Sequence, residues 1–552
     1  MKKVLFYLLL LGTLYSCARV GSPNGGIKDS IPPQLVGSNI DTTRINVPRT
    51  IKQLRLDFNE YVTLKEVQKN LIISPPIKYK RILPTTLGNK YVLVEWDENL
   101  QENTTYNFNW GNAIADLNEG NVLPYFNFAF STGDKLEETY ISGEVKSGFT
   151  MAKKGATDKN EFVVGLYQEK DTMDYTKKPY YITKADPDGY FELNYLTPGK
   201  YRIVAFNDTD QNSVFTPGKD DVYFQNEPLN VDKSISGMKI KTYPSQMRVK
   251  FVESKEQNGG VLFKFEGGPE KVEMISQTEK LKDYKVEHQK FSDSVMVWFD
   301  DKQLQLPETN INENLKFSYV ADTVKGNVSL YYKANVKEEF TLRNSVQGLM
   351  PPTGELVLES TKPITEIQPE KWVLKVDSLT QQTFTAEIGK LNNRKIRIQS
   401  NWTLGKKYEL MIPKETVSTY YQKLPKSHQI NFEFDKPENY GNLVVKLVSK
   451  PNAKFWAQLL SENDEVKYTQ LVNAQEFKFS GLKPGMYYVR LLVYNNDNGH
   501  WDTGNLLEGR QPEQAFVYDK LIEIRPLWDN IEDAWDPLNS NVETKVNETP
   551  NR

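Results

Sequence analysis

The chain has 552 residues with 69 basic against 72 acidic side chains, a net charge of −3, 12% aromatic content and a single cysteine. That near balance excludes a globally basic nucleic-acid binder, and one thiol excludes an intramolecular disulfide, so stability must come from packed cores. A chain this long cannot pack around one core and divides into several domains of roughly 100 residues each.

The first element is an N-terminal leader. Lys2 and Lys3 precede an apolar run, Val4 to Leu11, and small or hydroxyl residues Gly12, Thr13 and Ser16 lead into Cys17. This is the layout of a secretory signal, well short of the roughly 20 residues a spanning helix needs. No other long apolar run follows, so the body reads as soluble and tethered. With Leu14 at −3 and Ser16 at −1, "LYSC" resembles a bacterial lipobox. The resemblance implies cleavage after Ser16, so that 1–16 is the signal peptide, and triple acylation of Cys17, a durable membrane anchor. Residues 17–31 then form a tether. Ala18 stands where an inner-membrane retention signal would place Asp, which points to the outer membrane, with the periplasmic or extracellular face left open.

From residue 32 onward the pattern is that of strands. "LRLDF" sets Leu54, Leu56 and Phe58 on one face, "TYNFNWG" sets Tyr106, Phe108 and Trp110, and "YFNFAFS" sets Phe126, Phe128 and Phe130. Period-two aromatic patterning bounded by Gly, Asn, Asp and Pro predicts half-buried antiparallel strands. The best helical period, Leu64 to Leu71, covers only about two turns. Pro32-Pro33, the "F-x-E-x-V" of Phe58, Glu60 and Val62, "NTTY" at 103–106, "AIADLNEGN" at 113–121 and "FAFSTGD" together resemble the SbsA-type bacterial Ig-like domain, over 32–134. The stretch just behind Cys17 and "SPP" at 74–76 are similar to an outer-membrane lipoprotein family of the Bacteroidota.

The next segment, 139–244, contains "DPDGYFELNYLTPGKYRIVAF". Asp188-Gly189 turns one hairpin and Pro198-Gly199 the next, with Phe191, Leu193, Tyr201, Ile203 and Ala205 facing inward. The run resembles carboxypeptidase-regulatory-like and transthyretin-type β-sandwiches. It recurs as "FKFSGLKPGMYYVRLLVYNNDNGHWDTGN", which pairs Phe477 with Phe191, Tyr487 with Tyr201 and Trp501 with Phe215. A weaker echo sets "LVLESTKPIT" at 356–365 against "LRLDFNEYVT" at 54–63. The expected fold is therefore all-β, a tandem array of about five Ig-like and transthyretin-like sandwiches. After the first two come a sandwich of unassigned family at 245–340, a divergent Ig-like domain at 341–436, a second transthyretin-like domain at 438–526, and a C-terminal tail at 527–552.

Catalytic signatures are missing. His288, His428 and His500 lie far apart with no ligand partner at helical or hairpin spacing, and no G-x-S-x-G elbow occurs, so the chain is read as a non-enzyme that needs no cofactor. The sharpest polar cluster is "NDTDQNSVFTPGKDD". Asp208, Asp210 and Asn212 at alternate positions, with Thr216 and Asp220 or Asp221, form a candidate structural calcium loop; Ser213 replaces the turn glycine and Lys219 stands where a bidentate Glu would. The competing reading is an Asx-rich turn satisfying its own backbone. The matching second loop carries Asn496, Asn498, Gly499 and Asp502, with Tyr494 aligned to Asp208. Trp501, Trp528 and Trp535 form either a glycan-stacking or docking platform or ordinary strand packing. Six Asp-Ser/Thr segments, at 29, 41, 171, 293, 322 and 377, resemble a Bacteroidota O-glycosylation sequon, ordinary turn chemistry being the alternative. The expected function is a non-catalytic, lipid-anchored outer-membrane scaffold or docking protein, an accessory of outer-membrane protein assembly, with envelope proteins as partners and no nucleic acid. The alternative is a surface adhesin or glycan-binding lipoprotein.

Overall fold

A computed structural model describes residues 29–151, 162–170, 173–304, 313–333, 340–346, 348–352, 354–390, 392–496 and 498–539. Cys17, the leader and the end of the tail lie outside the described residues, as does the Asp171-Thr172 segment. The chain is all-β. Among the described residues, helix is limited to one four-residue turn, α1 (Val67–Asn70), and short 3-10 turns, and no helix is long and apolar enough to cross a membrane.

Contacts divide the chain into two compact units, the first built on residues up to Tyr140 with Tyr180–Ile182 and Asn194–Pro198, the second on the remainder. In the first unit, strands β1 (Leu35–Ser38), β2 (Gln53–Leu64), β4 (Tyr79–Leu83) and β5 (Asn89–Trp96) form one sheet in the order β1-β2-β5-β4, with β7 (Ile114–Asp116) on the far end of β2. A second sheet has the order β3 (Ile72–Ser74), β6 (Thr105–Gly111), β8 (Phe126–Ser131). The alternating residues meet between the sheets as their period demands. Leu54, Leu56, Phe58, Tyr106, Phe108, Trp110, Phe128 and Phe130 are all buried in one cluster, and Phe126 packs at its rim. Ring contacts of 5.9 Å (Tyr106–Phe130) and 6.0 Å (Phe108–Phe130, Trp96–Phe108) run through it. The "ADLNEGN" motif has a local cause as well. The Asp116 carboxylate accepts the amides of Glu119, Gly120 and Asn121 at 2.6–2.9 Å and so closes the loop after β7. Burial alone would raise that carboxyl, but the three amides outweigh it and hold it below its ordinary range.

The next module is one eight-stranded sheet folded on itself and belongs to the second unit, apart from Tyr181 and Ile182, which fall in the first. Strands β9 (Ile141–Ser147), β10 (Phe162–Gln168), β11 (Tyr181–Lys184), β12 (Tyr190–Leu193), β13 (Gly199–Asn207), β14 (Asp221–Phe224), β15 (Leu229–Val231) and β16 (Ile235–Pro244) run in the order β11-β10-β13-β14-β16-β9-β12, with β15 also on β13. The last strand, β16, returns parallel to the first, β9. The Asp188-Gly189 turn needs glycine: its φ is +87°, and a Cβ there would sit 2.4 Å from the Val145 carbonyl oxygen.

Next, β17 (Lys250–Gln257), β18 (Gly260–Glu266), β20 (Lys285–His288) and β21 (Ser294–Trp298) face β19 (Val272–Ser276), β22 (Glu313–Ala321) and β23 (Val324–Tyr332) across a core containing Val261, Phe263, Val297 and Phe317. The following module repeats the strand order of the first sandwich. Strands β24 (Leu342–Asn344), β26 (Leu356–Ser360), β31 (Lys395–Ser400) and β30 (Phe384–Ile388) stand in the order of β1-β2-β5-β4. β28 (Val373–Val376), β32 (Lys407–Ile412) and β34 (His428–Phe434) stand in that of β3-β6-β8, extended by β25 (Leu349–Met350) and β29 (Thr380–Gln382). β27 (Ile364–Ile367) pairs with β33 (Val417–Thr419) as the end of β2 pairs with β7. The weak echo therefore has a physical basis: Leu356 and Leu358 are fully buried like Leu54 and Leu56, and Ile364 is buried like Val62.

The last module repeats β9 to β16. β35 (Gly441–Leu447), β36 (Lys454–Ser461), β37 (Val466–Val472), β38 (Glu476–Leu482), β39 (Gly485–Tyr494), β40 (Ala515–Val517) and β41 (Ile522–Ile524) make the same neighbour pairings, and β42 (Asp529–Trp535) returns parallel to β35. This corrects the tail expected from residue 527. The module runs on through Trp535, which is 3% exposed and packs in its core. Its one-sided pattern was hidden because β42 buries only Trp535 among seven residues, so no alternation shows in the sequence. We expect Trp535→Ala to destabilise the last module by about 3–5 kcal/mol, measured as denaturant unfolding; a loss under 1 kcal/mol would mean that β42 is not part of the fold.

Candidate functional site

The Asp208 loop joins β13 to β14, and it does bring Asp208, Asp210, Asn212, Thr216 and Asp220 into one turn. Asp208 and Asp220 are each 1% exposed, and the hydrogen bonds show why burial is tolerated. Asp208 accepts the amides of Asn212 at 3.0 Å and Ser213 at 2.7 Å. Asp220 accepts the Thr209 hydroxyl at 2.6 Å and the amides of Thr209 and Thr216 at 3.1 and 2.8 Å. Asp210 faces the Lys219 ammonium in an ion pair, and the Asn212 side chain accepts the Val214 amide at 2.7 Å. The carboxylates of Asp208, Asp210 and Asp220 are thus committed to backbone amides, a hydroxyl or a lysine, the Asx-turn arrangement. Among the described residues, no group of three or more His, Cys, Asp or Glu side chains is placed to hold a metal ion.

The second loop repeats the clamp with different chemistry. The Tyr494 hydroxyl accepts the Gly499 amide at 2.7 Å, as Asp208 accepts that of Ser213. Asn498 donates to Asp502 at 3.1 Å, and its own carbonyl oxygen accepts the His500 amide at 3.0 Å. Exchange of Asp for Tyr at the clamping position leaves the turn intact, as a backbone role allows.

Asp221, the alternative to Asp220 as fifth ligand, begins β14, and its carboxylate meets no hydrogen-bond donor among the described residues. Burial, then the neighbouring Asp220, push its carboxyl up to about 6.

The three tryptophans do not gather. Trp535 is in the core, Trp528 is 57% exposed beside Arg525, and Trp501 packs on Phe149 at 4.9 Å and Tyr243 at 6.4 Å. Trp501 departs from its aligned partner Phe215, which stays inside its own module against Phe206. The histidines lie on β20, on β34 and in the second loop. Burial lowers both His288 and His428. Of the six Asp-Ser/Thr segments, the five described ones present exposed hydroxyl residues: Ser30, Thr42, Ser294, Thr323 and Ser378.

What sequence reasoning missed are the junctions between modules of the second unit. At one, Arg394 grips Glu287 with two hydrogen bonds of 2.7 Å, and Glu287 also accepts the Trp298 indole N–H at 2.7 Å. Arg394 and the Lys362 ammonium each lie 5.6 Å from the Trp298 ring, and Lys362 donates to the Asn258 carbonyl at 2.8 Å and to Gln422 at 2.9 Å. Glu287, Trp298, Arg394, Lys362 and Asn258 line a cleft of about 580 Å³. Since cations cover the indole, that ring is not available to stack on a sugar.

At the other junction Arg490, 6% exposed, lies 3.9 Å from the Phe149 ring and donates to the Phe149 carbonyl at 2.9 Å and to Gln458 at 2.7 and 3.0 Å. Burial pulls its guanidinium down to about 10. The Gln246 amide donates to the Gly504 carbonyl at 2.7 Å beside it, and Gln511 donates to the Phe224 carbonyl at 3.0 Å. No local motif announces the contacts that join modules, because Glu287 and Arg394, Lys362 and Asn258, and Arg490 and Phe149 stand more than a hundred residues apart.

The family model of the bacterial Ig-like domain matches residues 29–132, the first sandwich. A comparison with curated proteins finds no match. Among solved structures, the S-layer protein SbsC is similar at 10% identity, covering 89% of this chain and 67% of its own, with a TM-score of 0.15. The BSP domain of a biofilm-associated protein is similar at 8%, covering 94% and 100%, with a TM-score of 0.15. A major pilin subunit of Bacillus cereus is similar at 10%, covering 72% and 99%, with a TM-score of 0.13. At these identities and TM-scores no role is transferred from any of them.

Two outcomes check the loop. With its carboxylates committed as described, EDTA leaves the melting temperature of the calcium-equilibrated protein unchanged; a fall of several degrees would show that the loop rearranges around the ion. For Asp221, the folded state holds a proton between about pH 4 and 6 that the unfolded state has released, so the group's contribution falls as pH rises through that window and stays low above it. Asp221→Asn should therefore raise stability at pH 7, by up to about 3 kcal/mol, with no difference below about pH 4. Equal stability of both proteins at pH 7 in urea melts would refute this.

Proposed function

We propose that this protein is a non-catalytic, lipid-anchored scaffold of the outer membrane that docks envelope proteins, as an accessory of outer-membrane protein assembly. The observation that carries the scaffold reading is the bracing of the second unit. Modules that could swing on linkers are instead joined by buried or half-buried cation, aromatic and carboxylate contacts at Glu287–Arg394–Trp298 and at Phe149–Arg490. Ordinary inter-domain contacts leave domains mobile. Guanidinium groups held by two or more hydrogen bonds fix orientation as well as distance, which suits a part that sets the spacing of partners. The lipobox-like sequence ending in Cys17 supports the anchor, and exposed sheet edges supply docking surfaces that need no catalytic chemistry.

Tagged protein purified in mild detergent from its native membranes tests both halves of this reading. The expected result is a lipid-modified Cys17 by intact mass and a fixed, stoichiometric set of β-barrel proteins, with Cys17→Ser released from the membrane fraction. A Cys17→Ser protein that remains in the membrane would overturn the anchor, and a lipidated protein that purifies alone would overturn the docking role.

A further inference from the structure

The junction braced by Arg490 also holds a cavity of about 400 Å³, lined by Lys146, Ser147 and Lys241 from the module of β9 to β16 and by Tyr518, Lys520 and Asp536 from that of β35 to β42. Lys146 and Lys241 are direct partners in the parallel β9–β16 pairing. Val145, Ile240 and Thr242 beside them point into the module's own core, so strand alternation turns both lysines outward, toward the neighbouring module. Like charges directly opposed across a strand pair cost stability.

The surrounding acids leave that pair undercompensated. Glu144 reaches Lys146 only at 3.8 Å. Glu532 is occupied by Lys520 at 2.9 Å and by the Tyr518 hydroxyl at 2.9 Å. Asp536 is taken up by the hydroxyl of Ser449 and the side-chain amide of Asn539. Asp519 is the remaining carboxylate near Lys241, which is half-buried and has no hydrogen-bond or ion-pair partner among the described residues. Burial first, then Lys146, lower its ammonium, Lys239 on the same face of β16 adds to this, and Asp519, also in the cavity wall, and Glu144 oppose it.

We propose that this cavity is a binding site for a phosphorylated sugar, its phosphate held between Lys146 and Lys241 with Lys520 at the rim. Ammonium groups serve phosphate as point charges free of directional demands. The volume falls within the roughly 300–1,000 Å³ of ordinary ligand pockets and exceeds what a bare phosphate ion fills. The hydroxyl oxygens of Thr150, which donates to Ser147, and of Tyr518, which donates to Glu532, keep lone pairs at the same walls that accept from a sugar's hydroxyls.

The test uses the full-length protein in detergent, with glucose 6-phosphate, inorganic phosphate and glucose as probes at matched ionic strength, read by calorimetric titration and melting temperature. Glucose 6-phosphate is expected to bind and raise the melting temperature, inorganic phosphate to do so more weakly, and glucose not at all. Lys241→Gln should weaken glucose 6-phosphate binding at least tenfold while melting at or above wild type without ligand, because the opposed charges are relieved. Lys146→Gln serves as the second variant and should weaken binding likewise. Absence of binding to wild type, or binding within twofold of wild type in both variants, would overturn the site. Equal affinity for phosphate and glucose 6-phosphate would overturn the sugar.

Discussion

A sheet with one apolar face must be covered, and nearly everything in this protein follows from that. With no disulfide and negligible helix among the described residues, each strand group can hide its alternating aromatic and aliphatic residues only against a second sheet. The first sandwich shows the rule most plainly. Leu54, Leu56 and Phe58 on one side meet Tyr106, Phe108 and Phe130 on the other, and Gln53, Arg55 and Asn59 of β2 are left to solvent. The same requirement, met again with different side chains, reproduces this strand order at β24–β34, and the order of β9–β16 recurs at β35–β42.

Sandwiches built this way carry open edges and mobile linkers, and the second unit controls both through long-range polar contacts. A parallel last strand closes β9 in one module and β35 in the other. Between modules, Arg394 and Arg490 work differently. Arg394 meets a true carboxylate, Glu287. Arg490 has only amide and carbonyl oxygens and an aromatic ring, and burial lowers its guanidinium accordingly. A buried cation with neutral partners contributes less to stability than to placement, which accords with the scaffold role proposed above.

The Asp208 loop shows how a ligand-like pattern serves the backbone. Oxygens at alternate positions are what a calcium loop and an Asx-rich turn have in common. The two diverge in what the oxygens face, here the amides of Asn212, Ser213, Thr209 and Thr216. In the second copy Tyr494 stands at the position of Asp208, and its hydroxyl oxygen accepts the Gly499 amide as the Asp208 carboxylate accepts that of Ser213.

Strand periodicity, turn residues and the spacing of Pro-Gly pairs were legible from the sequence, since each depends on neighbours a few positions away. So were the all-β class, the inward faces of β2, β6 and β8, and the recurrence of modules, because one-sided burial imprints a period of two on the residues themselves. β42 was not legible: a strand that buries a single tryptophan leaves no period to read, and its place comes from pairing with β35, more than eighty residues earlier. Nor were the Glu287–Arg394 brace, the turning of Trp501 away from its own core, or the opposed pair Lys146 and Lys241. Charge and aromaticity are visible in a sequence, but which charge meets which ring is decided by the register of distant strands, and only the tertiary structure sets that register.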